Sequence, residues 1–153
     1  MFEPNYILWP RTARHCKDFL KEYRLGIGDI LSSFKRQDRQ ATDSALSEFV
    51  FNDDLIATIM AADNSVKYLY FTSKFAYRLF KQAVRTRFSI EETKTVDKLC
   101  FQLTITSLEQ CKSFNTCILK SPSPRGRHTV EDILRDWQGK FTPILDLNSK
   151  KKC

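Results

Sequence analysis

Two hydrophobic periods run through this chain. Between residues 74 and 88, apolar positions recur three and four apart: Phe75, Ala76, Leu79, Phe80, Ala83, Val84 and Phe88. That spacing predicts a helix over 74–88 with one apolar face, and Ser73 is placed to cap it. Between residues 99 and 106 the period is two. Leu99, Phe101, Leu103 and Ile105 alternate with Cys100, Gln102, Thr104 and Thr106, which predicts a strand with one buried and one wet face. Residues 114–119 predict its antiparallel partner, across a polar connection at 109–113.

The flanking segments read less uniquely. Residues 12–36 carry Cys16, Phe19, Leu20, Tyr23, Ile27, Ile30, Leu31 and Phe34 at helical spacing. They predict a long N-terminal helix, kinked or broken at Gly26 and Gly28. Residues 46–51 fit either the end of a helix or a first strand. Residues 55–61 fit a helix or a buried strand. Residues 66–72 are β-branched and aromatic and predict a strand. The Ala62-Asp63-Asn64-Ser65 turn chemistry between these two segments favours a hairpin. Residues 120–128 read as a basic loop with two Ser-Pro steps, at Ser121 and Ser123. A C-terminal amphipathic helix begins at Thr129, with Asp132 placed to close a capping box, and Gly139 is expected to stop it. The apolar run Phe141, Ile144, Leu145 and Leu147 follows, and Lys150–Lys152 form part of a basic tail at 150–153.

These elements fit one domain over residues 1–149, since the 153 residues would make two compact domains marginal. Glycine is scarce at four residues, and neither phosphate-cradling glycine motif is present. No apolar run is long enough to span a membrane, and Met1–Pro10 lacks the pattern of a signal peptide. The five cysteines form no C-x-x-C pair and read as reduced thiols of an intracellular protein. No metal or other cofactor is expected. No carboxylate or histidine sits among converging polar groups, so the reading is non-enzymatic, with no small-molecule substrate.

Charge adds a direction. The net charge is +7, yet residues 41–65 hold no basic group and five acidic ones, whereas residues 66–128 hold 12 basic and four acidic. The surplus lies among aromatics, and such a field attracts a polyanion. Lys74, Arg78, Lys81 and Arg85 share one helix face. On the strand at 66–72, Leu69 and Phe71 are expected inward, with Tyr68 and Tyr70 outward beside Lys67. Lys112 and Lys120 are expected to line the neighbouring region. In the last helix, Val130, Ile133, Leu134 and Trp137, with Phe141 beyond, exceed what a small helix needs against its own domain. They read as a partner-binding face.

The order from residue 46, of strand, hairpin, helix, strand, strand and C-terminal helix, resembles the OB-fold subunits of single-stranded-DNA-binding complexes of the replication protein A and telomere-capping types. The resemblance rests on element order over residues 46–139. It implies an α+β chain with an OB-like barrel. Helices on one face of a small antiparallel sheet are the alternative. It further implies a nuclear subunit of a hetero-complex that binds single-stranded DNA, in chromosome-end protection or DNA maintenance. A protein–protein adaptor without nucleic-acid contact is the other reading.

Overall fold

The period-two segment at 99–106 becomes the centre of a sheet. The structure, a computed structural model, describes residues 13–36, 45–61, 65–95, 99–121 and 128–149, with side chains up to residue 141. The expected turn at 62–65 lies mostly outside the described residues, as do residues 122–127 of the basic loop and the tail at 150–153. The chain is α+β, with four helices and two small sheets among the described residues. Its contacts divide it into two units, residues 29–133 and residues 1–28 with 134–153.

In the first unit, strands β1 (Leu31–Arg36) and β2 (Leu46–Phe51) form an antiparallel pair. Helix α2 (Asp53–Met60) follows, then β3 (Tyr68–Phe71), α3 (Lys74–Val84), β4 (Ser89–Lys94), β5 (Cys100–Thr106) and β6 (Cys111–Ile118). The second sheet has the order β3-β6-β5-β4, with β3 parallel to β6 and the other neighbours antiparallel. Its two edges stay open, so it is not closed into a barrel. The expected antiparallel pairing of 99–106 with 114–119 is present as β5 with β6.

Alternation along the strands decides which face carries the core. Phe101, Leu103 and Ile105 of β5 and Phe114, Thr116 and Ile118 of β6 are buried. Helix α3 lies on this face. Its Ser73 cap forms as the sequence suggested, with Ser73 Oγ accepting from the Ala76 N–H at 3.1 Å. Tyr77 and Phe80 each lie 5.1 Å, ring to ring, from Phe71, and Tyr77 lies as far from Phe101. Ile56, Ile59 and Met60 of α2 join the same core.

Several expectations are corrected. The N-terminal helix is short: α1 covers Ala13–Glu22. It ends because Arg24 takes φ 54° while the Leu25 N–H bonds the Leu20 carbonyl and the Arg24 N–H the Lys21 carbonyl. This is a Schellman stop ahead of the two glycines. Residues 31–36, read as the helix's end, are strand. The hairpin of 55–61 with 66–72 does not form. Asn52 caps α2 through its bond from the Leu55 N–H, and Asp53 and Asp54 suit the first turn. The strand at 68–71 pairs with β6 instead. Strand β4 carries Ile90 among polar residues and charges, a pattern typical of an edge strand and weak as a strand signal. Helix α3 stops at Val84, four residues short of the expected end.

Helix α4 runs Val130–Ser149, straight through Gly139. No glycine among the described residues has positive φ, so Gly139 is an ordinary helical residue costing roughly 1 kcal/mol relative to alanine. The capping box at its start is present. Asp132 accepts from the Thr129 N–H at 3.2 Å, and Thr129 Oγ1 accepts from the Asp132 N–H at 3.1 Å.

Candidate interaction surfaces

The strand register places the tyrosines. Tyr68 and Tyr70 alternate with Leu69 and Phe71, so both lie on the sheet face opposite α3, as the alternation suggested. Both are half-buried. Tyr68, Asn115, Gln102 and Thr93 form one uncharged row across the four strands. The next row holds Tyr70, Cys117 and Cys100. Burial pushes the Tyr70 phenol up to about 12, with the Tyr68 phenol adding to the shift. Beside them, the Thr104 and Ser113 hydroxyls bond each other at 3.0 Å.

Cys100 and Cys117 face each other in the register with Cα atoms 4.2 Å apart, and their sulfurs form a disulfide. The reading of all cysteines as reduced thiols is corrected at this pair. Cross-strand neighbours come within bonding reach, which 17 residues of sequence separation do not reveal. Cys16 and Cys111 are free and exposed.

The predicted cations scatter. Lys67 is exposed just before β3, and its carbonyl accepts the Asn115 N–H at 2.9 Å. Lys74, Arg78 and Arg85 are exposed on α3. Arg78 lies over the Phe75 ring at 5.1 Å. Lys81 is engaged: its Nζ donates to Glu92 Oε1 at 2.8 Å and sits 4.7 Å from the Tyr77 ring centre. The Tyr77 hydroxyl donates to the same oxygen at 2.8 Å. The Lys81 hydrogen bond holds the Glu92 carboxyl below its ordinary range, partly offset by burial. Burial, with the Glu92 bond and charge, pushes the Tyr77 phenol well upward. Lys112 lies in the strand positions that face the core side, and its ammonium bonds the Ala61 carbonyl. Lys120 is half-buried beyond β6.

The structure therefore brings Tyr68 and Tyr70 together but sets them on the other side of the sheet from the α3 cations. Among the described residues, no groove combines the two sets. Sequence reasoning missed Gln102 and Asn115 as neighbours of the tyrosines, although the alternation at 99–106 already put Gln102 on the wet face. It also missed Glu92.

On α4, Val130 is 65% and Leu134 42% exposed, while Ile133, Trp137 and Phe141 are half-buried. At helical spacing these five occupy one arc of about 100°. The Trp137 and Phe141 rings lie 6.4 Å apart. Asp136 and Lys140 bond at 2.8 Å with both side chains largely covered. Among the described residues, no group of three His, Cys, Asp or Glu side chains converges as a metal site would require. No helix there is long and apolar enough to cross a membrane.

No protein-family model, curated protein or solved structure matches this chain.

Proposed function

We propose that the chain is a non-enzymatic subunit of a hetero-complex, working as a protein–protein adaptor through α4. The observation that carries this is the exposed Val130–Leu134 edge, continuous with Ile133, Trp137 and Phe141 on one helical arc. An exposed apolar edge backed by an aromatic pair is the composition of an interface centre. A photocrosslinking amino acid at position 134 tests it in cells. Capture of a discrete protein at 134, and none from position 78, is the expected result. Absence of any cross-linked protein at 134 overturns the reading.

A second reading, that the subunit also holds single-stranded nucleic acid in a nuclear complex for DNA maintenance, is favoured by the uncharged row beside the tyrosines. Phenol rings stack on bases, and amides such as Asn115 and Gln102 bond base edges. Backbone contacts to α3 would then need a strand that wraps an edge of the sheet. Salt-dependent binding of single-stranded DNA to the purified chain tests it. Affinity that ignores Tyr68→Ala and Tyr70→Ala removes the sheet face from this reading.

A further inference from the structure

A shallow groove of about 500 Å³ opens beside the β5–β6 turn. Ala57, Ala61 and Phe88 give it an accessible apolar lining, and Arg87 and Glu109 also line it. Next to it in the chain stands Leu108, whose side chain is completely exposed at 106%. A leucine on a loose loop tip would mean little, but this turn is braced. The Ser107 N–H bonds the Gln110 carbonyl at 2.8 Å. Ser107 Oγ in turn accepts from the N–H groups of Glu109 at 3.3 Å and Gln110 at 3.2 Å. The fold holds a bare apolar side chain in water beside an apolar hollow that it does not enter.

The charges follow the same logic. Arg87 pairs with Asp53 at 2.7 Å with more than half of its side chain exposed, and its guanidinium has donors beyond that bond. Glu109, which lines the same groove, makes no ion pair among the described residues. One patch thus carries a knob, a hole, the acid Glu109 and the base Arg87, which Asp53 already engages on one side. A patch complementary to itself is what a two-fold interface requires, because each contact is made twice with the roles exchanged.

We infer that this patch is an isologous interface between two copies of this chain. A two-fold rotation seats Leu108 of each copy in the groove of the other and sets each Glu109 beside the opposite Arg87. A second copy is the occupant because its own patch supplies both a knob for this groove and a carboxylate for Arg87. The interface uses none of the α4 residues named for the adaptor face, so the two proposals stand or fall separately.

Sedimentation velocity of the purified full chain over a concentration series tests the inference. The wild type is expected to form dimers at high concentration. Leu108→Asp should weaken dimerisation at least ~10-fold with an unchanged circular dichroism melt, since the Leu108 side chain is fully exposed. Glu109→Arg and Arg87→Glu should each weaken it alone through like-charge contacts. Mixing the two variants should restore it, since both cross-pairs are then of opposite sign. A wild type that stays monomeric up to about 1 mM, a dimer indifferent to Leu108→Asp, or a mixture that fails to recover association overturns the inference.

Discussion

Glu92 ties the edge strand β4 to helix α3, and its removal gives a sharp test of the packing. One oxygen of Glu92 accepts from both the Tyr77 hydroxyl and the Lys81 ammonium, each at 2.8 Å. Tyr77 is only 6% exposed, so its hydroxyl has little water to fall back on. Leaving a buried hydroxyl unsatisfied costs about 1–3 kcal/mol. The ion pair is partly exposed and adds about 0.2–1 kcal/mol at most. Glu92→Ala should therefore lower the unfolding free energy by about 2 kcal/mol. Tyr77→Phe should cost about 1 kcal/mol, and the double variant little more than Glu92→Ala alone, a coupling of about 1 kcal/mol. The folded-state pKa of Glu92 lies below its ordinary value of 4.5. Its contribution is thus fully present above 4.5 and is lost as pH falls through the folded value. Urea unfolding followed by circular dichroism, at neutral and at acid pH, measures all of this. A Glu92→Ala effect under about 0.5 kcal/mol at neutral pH, or a wild-type advantage that grows on acidification, would refute the reasoning.

Three further expectations follow from the same geometry. Phe80, 1% exposed against Phe71, should cost about 3–5 kcal/mol of stability as Phe80→Ala, whereas Arg78→Glu on the exposed face should stay within about 0.5 kcal/mol; denaturant melts compare them. Without reductant, an alkylating reagent should modify Cys16 and Cys111 but neither Cys100 nor Cys117 in the folded chain, as mass spectrometry of the peptides would show. If single-stranded DNA binds the sheet, Tyr70→Ala should weaken it by about 1–3 kcal/mol per lost stack, read by fluorescence anisotropy.

The elements that were legible in the sequence are those whose burial is one-sided and local. Leu99 to Thr106 keeps strict alternation because one face meets α3 and the other does not, and the stripe on 74–84 exists for the same reason. The facing residues of the strand match its alternation, whereas the helix stripe omits the buried Tyr77 and puts Lys81, which Glu92 engages, on the wet face. What failed was long-range. Whether 55–61 is helix or strand depends on Asn52, a cap outside the apolar run. The parallel pairing of β3 with β6 joins segments more than forty residues apart along the chain, and no local pattern encodes it. Strand β4 hides because an edge strand needs few apolar residues. The candidate site was legible residue by residue but not as a surface. The tyrosines and the α3 cations were each identified, yet their separation depends on which sheet face the helix covers. Leu108 sits in a polar connection, and only the fold shows that it stands beside a groove.

The adaptor face of α4 is the central claim, and one comparison tests it most directly. Leu134→Asp and Arg78→Glu are expressed at equal levels and affinity-purified from cells beside the wild type, with quantitative mass spectrometry of the recovered proteins. Both substituted positions are exposed, so both variants should fold as the wild type does. The account expects Leu134→Asp to lose its protein partners at least ~10-fold while Arg78→Glu keeps them. Partners retained by Leu134→Asp and lost by Arg78→Glu would contradict it.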